Sequence, residues 1–159
     1  MALAAGLSAA QVSGFGSVIS IGGPTGAPGT EVFVTIGEIK DAKLSGRKTS
    51  TTMSTNFDSL GVARKLGTII DLGTITFTAN RVGNDAGQLA VNAAQLTLKS
   101  YDFKIQMPIN PLIGQTTAGD VVTFAGIVTE AGSFDISMDK VSEYTFIVDL
   151  NSYLVTAGT

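Results

Sequence analysis

The chain has 159 residues and a mass of 16.3 kDa, which suits a single domain over residues 1–159, because domains usually run to about 100–200 residues. It contains no His, Cys or Trp, which excludes Ser-His-Asp and Cys-His catalysis, His/Cys zinc sites, His- or Cys-ligated haem and disulfides. Only 14% of the residues are charged, against about 25% in typical soluble domains. We therefore expect no enzyme, no cofactor and no bound metal, and a surface partly covered by protein.

The first ten residues are apolar and small, as in part of a signal peptide, but no basic residues precede them. We therefore expect no export signal. No apolar stretch approaches the roughly 18 residues that a membrane span needs, so we expect a protein made in a cytoplasm that does not insert into a membrane.

The apolar residues mostly recur at every second position, which is typical of half-buried antiparallel strands. The clearest case is residues 101–107, where Tyr101, Phe103, Ile105 and Met107 share one face before Pro108 ends the strand. The pattern predicts about seven or eight strands, near residues 15–21, 31–39, 74–78, 101–107, 121–129, 133–138 and 143–150. It therefore favours a mainly β fold, an antiparallel sandwich or barrel.

The Gly/Pro-rich stretch 21–30 could be compared with a phosphate-binding loop, which needs consecutive backbone N–H donors and a following Lys. Pro24 and Pro28 remove donors and no Lys follows. We predict a turn between two strands.

Residues 40–68 are polar, basic and rich in Thr and Ser, with little strand pattern. Loops longer than about 12–15 residues within a compact domain are usually functional or disordered. We predict a long mobile loop here.

Residues 84–98 break the strand period. Leu89, Ala93 and Leu96 fall at helical spacing, and Asp85 is followed three residues later by Gln88. This predicts one capped amphipathic helix that packs on the sheet, although Gly87 lowers its helix propensity by up to about 1 kcal/mol.

The acidic residues form neither a complete metal-binding motif nor a recognisable catalytic pair. Asp135 and Asp139 resemble half a calcium loop, but Lys140 and Phe146 stand where Gly and Glu would be needed. Nothing in the sequence brings together any two of Asp71, Asp120 and Asp149 as a catalytic pair.

The charge is strongly polarised along the sequence. Residues 39–65 carry a net +4 and residues 101–159 a net −5, although the whole chain is only −3. The basic stretch has a single aromatic residue, Phe57, and the chain is acidic overall, which favours a protein contact over nucleic-acid binding. Opposite charge blocks suit head-to-tail association of identical copies, while two ordinary solvated faces are the alternative.

The order of features resembles the major tail tube proteins of long-tailed, siphovirus-type bacteriophages, over about residues 37–150. The likeness rests on a progression T-x-x-D-S … D-x-G-x-x-x-F, present here at 55–59 and 71–77, and on the segments around it. Those segments are 36–41 (IGEIKD), 53–59 (MSTNFDS), 63–67 (ARKLG), 70–77 (IDLGTITF), the helix at 85–98, 124–128 (FAGIV) and 139–145 (DKVSEYT).

The resemblance implies a β-sandwich or barrel flanked by one helix, forming hexameric rings that stack into a tail tube through which genomic DNA passes. It implies a virion protein, assembled in the host cytoplasm, whose partners are other copies and the tape-measure, tail-terminator and tail-tip proteins. It also implies that the 40–68 loop becomes ordered when rings stack.

From the charge blocks we predict inter-ring contacts between basic and acidic residues: Lys40, Lys43, Arg47, Lys48, Arg64 and Lys65 on one copy, and Asp135, Asp139 and Glu143 on the next. A DNA-carrying lumen should avoid basic residues, and Asp102, Asp120 and Asp149 are candidates to face it.

Two other functions fit the sequence. One is the ring-forming tube protein of type VI secretion systems, which is similar in fold to tail tubes. The other is a monomeric β-sandwich module that binds a ligand such as carbohydrate, which the low aromatic content of 7% speaks against.

Overall fold

The computed structural model describes residues 16–26, 31–57 and 60–159. Within these ranges the chain forms one α-helix, α1 (Ala86–Thr97), and nine strands: β1 (Val18–Pro24), β2 (Val34–Thr35), β3 (Ile39–Ser45), β4 (Lys48–Met53), β5 (Lys65–Asp71), β6 (Thr74–Asn80), β7 (Ser100–Gln106), β8 (Val121–Ser137) and β9 (Lys140–Thr156). The predicted absence of an export signal at residues 1–10, and the last four residues of the predicted turn at 21–30, lie outside the described residues.

Seven strands form one antiparallel sheet in the order β2-β1-β7-β8-β9-β6-β3. Its two edge strands, β2 and β3, follow each other in the chain and are separated only by residues 36–38. Because one short segment supplies both edges, the sheet has to curl back towards itself, as in a barrel. The prediction of a mainly antiparallel β fold with one helix is confirmed.

Three of the predicted strands have different bounds from those expected. The predicted strands at 121–129 and 133–138 are one strand, β8, with a bulge at Glu130–Ser133 where Gly132 has a φ of 79°. The predicted strand at 31–39 is short instead, because Glu38 turns the chain at a φ of 58°. A bulge adds an unpaired residue and shifts the alternation of side chains, so in the sequence it resembles the end of a strand although pairing continues beyond it.

Residues 40–68 are not a loop over most of their length, so the loop prediction is wrong there. β3 pairs with β6 and β4 pairs with β5, so that residues 39–80 form a long antiparallel ribbon. Thr-rich segments favour strands, but every side chain of β4 and β5 is exposed. Without a buried face there is no apolar alternation to reveal the strands. That the segment is mobile, and that the chain is a single domain, stay predictions.

Four phenylalanine rings form the centre of the core: Phe77, Phe103, Phe124 and Phe146 are each at most 1% exposed. The ring of Phe77 stacks on that of Phe146 at 4.6 Å between centroids, and Phe103 stacks on Phe124 at 5.2 Å. Both pairs are direct cross-strand partners. A third contact, at 6.2 Å between Phe77 and Phe124, joins the two pairs. Each such pair adds about 0.5–1.5 kcal/mol beyond its burial.

The predicted cap of the helix is confirmed. The Gln88 N–H donates to Asp85 Oδ2 at 2.9 Å, and the Gly37 N–H donates to the same oxygen at 3.2 Å. The Gln88 side chain does not return to the cap: its amide donates to the Asn80 carbonyl at 2.8 Å. Two polar residues therefore attach the start of α1 to the end of β6 and to the turn that links β2 and β3.

The helix packs on the sheet with the opposite face from the one predicted. Leu89 and Leu96 are 53% and 83% exposed, and Ala93 is exposed as well. The buried helix residues are Gly87, Gln88, Val91 and Ala94. The reason is the close approach at Gly87, where a Cβ would overlap the Thr35 carbonyl oxygen and the Ile36 Cα. This contact orients the helix so that Val91 and Ala94, on the same face as Gly87, join the core.

Gly87→Ala is expected to destabilise the protein by about 1–3 kcal/mol, because the added methyl meets backbone that cannot move aside. This loss exceeds the gain in helix propensity, about 1 kcal/mol. Urea denaturation gives the free energy of unfolding. The control is Gly83→Ala, since nothing lies within 4 Å of a Cβ at Gly83. Equal stabilities of the two variants would contradict the assigned role of Gly87.

Candidate assembly surfaces

The paired strands β4 and β5, with the residues that link them, leave the seven-stranded sheet as an arm, here called the β4–β5 arm. The base of the arm is formed by two short links, residues 46–47 between β3 and β4 and residues 72–73 between β5 and β6. Gly46 and Gly73 in these links have φ values of 78° and 82°. A Cβ at Gly73 would overlap the Ser45 carbonyl oxygen. Only glycine allows both the backbone conformation and the close approach, so the ribbon bends at this point.

The arm exposes many large apolar side chains. Phe57 and Leu60 are fully or almost fully exposed, and the other exposed apolar side chains of the arm are Met53, Val62, Leu66, Ile69 and Ile70. Apolar side chains collected on one exposed element favour an interface with another molecule. The signal for this property in the sequence is the presence of Leu66, Ile69 and Ile70 as apolar residues in a polar segment.

The predicted basic contact residues fall into two groups. Arg47, Lys48, Arg64 and Lys65 lie on the arm or at its base, and the Arg47 guanidinium lies 5.7 Å from the centre of the Tyr153 ring. Lys43 lies on β3, in register with Thr76. Lys40 lies near the start of β3, and its ammonium group forms a salt bridge with the Glu143 carboxylate of the same chain.

The predicted acidic residues lie together on the hairpin formed by β8 and β9. Asp135 and Glu143 are direct cross-strand partners, and Asp139 is in the turn. The hydrogen bond and the charge of Lys40 lower the pKa of the Glu143 carboxyl. The hairpin also exposes Phe134, Ile136, Met138 and Val141, and the Arg81 guanidinium lies 4.3 Å from the centre of the Phe134 ring.

The arm and the acidic hairpin leave the molecule at opposite ends of β6. The arm joins β6 at Thr74, which is in register with Asp149. At the other end Asn80 is in register with Glu143, and the rest of the β8–β9 hairpin extends beyond this point. The seven residues of β6 separate the two surfaces by about 20 Å, at about 3.3 Å per residue.

This arrangement changes the predicted role of Lys40. It lies at the acidic end, where Glu143 of its own chain already neutralises it, so a Lys40–Glu143 contact between copies is not required. The structure also brings Asp135 beside Glu143. The four basic residues of the arm lie at the Thr74 end of β6, and the acidic hairpin of the same chain lies at the Asn80 end. The basic residues of the arm therefore do not pair with the acidic hairpin of their own chain.

Two of the remaining carboxylates, those of Asp71 and Asp120, accept hydrogen bonds that hold local structure. Asp71 Oδ1 accepts from the Gly73 N–H at 2.9 Å, and Asp120 Oδ1 accepts from Gln115 Nε2 and from the Gly158 N–H, both at 2.8 Å. Burial, and then the Asp102 carboxylate, raise the pKa of the Glu31 carboxyl.

No group of three or more acidic side chains in residues 16–26, 31–57 and 60–159 is placed to hold a metal ion. No helix in that part of the chain is long and apolar enough to cross a membrane.

The sequence matches no family model, and it matches no curated protein. Several solved structures nevertheless share its fold. The SPP1 tail tube, determined by solid-state NMR and cryo-EM, matches with a TM-score of 0.62 at 12% identity, over 94% of this chain and 80% of that one.

Two further assemblies contain chains of the same fold. A chain of the PVC sheath–tube complex, an extracellular contractile injection system in its extended state, matches with a TM-score of 0.62 at 14% identity over 92% of both chains. A chain from the tail of an empty GTA particle, refined with C6 symmetry, matches with a TM-score of 0.58 at 14% identity, over 89% of this chain and 95% of that one.

The chain therefore has the tail-tube fold, a mainly antiparallel sheet with one helix. The resemblance inferred from the sequence is confirmed at the level of the fold, but the likeness is not restricted to siphovirus-type tails, because it extends to contractile injection systems.

The arm is expected to contribute little to the stability of a single chain. Replacing Leu66, Ile69 and Ile70 together with Ser should change the free energy of unfolding by less than about 1 kcal/mol, since surface substitutions usually change it by about 0.5 kcal/mol or less. Phe77→Ala, at the centre of the core, should cost about 3–5 kcal/mol. Urea denaturation at low protein concentration measures both. A large loss in the triple variant would show that the arm packs on its own chain.

Proposed function

We propose that the protein is the tail tube subunit of a long-tailed bacteriophage: a structural virion protein, without enzymatic activity, whose hexameric rings stack into the conduit for the genome. The observation that carries the proposal is the placement of a basic, apolar arm and an acidic hairpin at opposite ends of one strand. Surfaces of opposite charge at opposite ends make each copy complementary to the next, and such contacts repeat without closing along a filament.

Within a ring, neighbouring subunits would join their sheets. β3 is an edge strand of the sheet, and six of its seven side chains are exposed. An edge of this length is a template for pairing with another chain, and pairing around a closed ring removes every edge. The C6 symmetry of the GTA tail supports six subunits per ring.

The sheet face that α1 does not cover would line the lumen. Thr74, Thr76 and Thr78 on β6, and Thr145 and Asp149 on β9, alternate with buried residues and therefore lie on that face. Apart from Ile147, which is in register with Thr76, these two neighbouring strands carry hydroxyl and acidic groups there, which give DNA phosphates no counter-charge and leave the DNA free to move. Of the three candidate lumen carboxylates, Asp149 is the one that lies on this stripe.

In this proposal the protein is located in the tail of the virion, after assembly in the host cytoplasm. The tube would surround the tape-measure protein and end at the terminator and tail-tip proteins. Those partners follow from the proposed class and from a likeness to a chain of the AFP tube-terminating cap.

The second candidate is the tube protein of a contractile injection system, such as a type VI secretion tube. The match to a chain of the PVC sheath–tube complex, with the same TM-score as the SPP1 match, favours it. Electron microscopy of particles that contain the protein separates the two: a bare tube supports the phage tail, and a tube inside a sheath supports the contractile system. A protein that stays monomeric even with purified tail tips would support the monomeric binding module instead.

The double variant R47E/K48E is expected to abolish tubes and leave a folded monomer, because it reverses the charge that meets the acidic hairpin. Negative-stain electron microscopy over a concentration series, with light scattering, measures tube formation, and circular dichroism checks the fold.

The matched control combines R47E/K48E with the reversal D135K/D139K, which should restore tubes if these groups face each other. Tubes of unchanged yield from R47E/K48E alone would contradict the charge-based contact. Wild-type protein that forms neither rings nor tubes, even on purified tail tips, would contradict the proposed function.

Thr145→Lys is expected to make the tube retain DNA, because it adds a cation to the proposed lumen. Double-stranded fragments would be mixed with preformed tubes, and DNA that sediments with them measured at rising salt. Wild-type tubes and the uncharged control Thr145→Gln should retain none, and salt should release DNA from the Lys variant. Equal behaviour of all three would place Thr145 outside the lumen.

A further inference from the structure

The exposed face of α1 is more apolar than its buried face. None of the twelve residues of the helix is charged, and the solvent side carries Ala86, Leu89, Ala93 and Leu96. Leu96 is 83% exposed, whereas the polar Gln88 is 3% exposed. A surface helix normally presents charged or polar residues to water. The leucine face is therefore arranged for contact with another apolar surface.

We propose that this face of α1 binds the β4–β5 arm of a second copy of the chain. The inference rests on the proposed tube function and adds to it the surface on which each arm is seated. It is carried by the position of the helix, by the composition of the two surfaces and by the charges that flank them.

The helix begins at the end of the sheet away from the arm. Gln88 donates to the Asn80 carbonyl, and the Tyr144 hydroxyl donates to Asn92 Oδ1 at 2.8 Å. Both contacts are at the Asn80 end of β6, whereas the arm leaves at Thr74. The helix then runs towards the Thr74 end, so in a head-to-tail stack the arm of one copy approaches the N-terminal half of α1, with Leu89, on the next.

The composition of the arm matches that of the helix face. Asp58 is the single charged residue of the sequence between Lys48 and Arg64, and Val62 and Leu66 are 65% and 59% exposed. Contact between the two surfaces would remove both from water, which is the main source of free energy in protein association.

The flanking charges are complementary. Arg64 and Lys65 stand beside the apolar residues of the arm. Next to the helix, Gln95 Nε2 donates to the Thr129 carbonyl, and the exposed Glu130 follows directly. Asp85 caps the start of the helix, and the exposed Lys99 follows its end. The basic arm is therefore attracted to the start of the helix and repelled from its end, which sets the direction in which the two surfaces meet.

A membrane surface is a poorer occupant for this face. Helices that lie on membranes carry Lys and Arg on their polar side, and α1 has neither. A second copy supplies both the apolar surface and the basic charge.

Cysteine cross-linking tests the contact, because the natural chain has no Cys. In assembled tubes of the variant V62C/L89C, a short bis-maleimide should link copies into a ladder of dimers and higher oligomers. The matched control is V62C/V155C: Val155 is 52% exposed and lies at the far end of β9, so this variant should stay monomeric on a denaturing gel. If V62C/L89C gave no ladder, whether or not the control gave one, the inference would be overturned.

A second pair of variants tests the apolar character of the face. L89E/L96E should lose tube formation while the monomer stays folded, since both side chains are exposed. L89M/L96M keeps the face apolar and should form tubes at the wild-type yield. Tubes of normal yield from L89E/L96E would also overturn the inference and leave the proposed function standing. Wild-type protein that forms no rings under any condition would instead refute the proposed function, and the inference with it.

Discussion

The structure depends on one constraint of connectivity: residues 34–45 supply both edges of a seven-stranded sheet. A segment this short cannot reach across a flat sheet, so the sheet curls. Asp85 and Gln88 then hold the start of the helix against the turn within this segment. The same few residues therefore determine the curvature of the sheet and the position of the helix.

The four stacked phenylalanine rings lie at the centre of the core that the sheet and the helix enclose. The helix can approach only with Gly87, Val91 and Ala94, and its leucines are left outside. β4 and β5 likewise extend past the end of β6, where no core covers them, and all of their residues are exposed. An unusually apolar chain with few charges is thus folded so that much of its apolar surface remains outside, which a protein made for association requires.

The basic and acidic side chains are also divided between two separate surfaces. The arm collects Arg47, Lys48, Arg64 and Lys65, and the β8–β9 hairpin collects Asp135, Asp139 and Glu143. Since β6 lies between the two groups, they do not neutralise each other within one chain. Lys40 is the exception, because β3 begins at the acidic end of β6 and places it beside Glu143. The separation of basic and acidic residues along the sequence is therefore also a separation in space, because the two groups lie at opposite ends of β6.

The sequence by itself determined the elements that bury one face. Strand alternation located β6, β7 and residues 143–150 of β9, and the cap at Asp85 located the helix, because burial and capping leave a periodic or local signal. Only the tertiary structure decided the rest. β4 and β5 bury neither face, so nothing in their pattern marked them as strands. The helix face was mispredicted because Gly87 permits a contact that hydrophobicity alone does not reveal. The net charges of +4 and −5 were visible in the sequence, but their places at opposite ends of β6 arise from strand pairing between residues far apart in the chain.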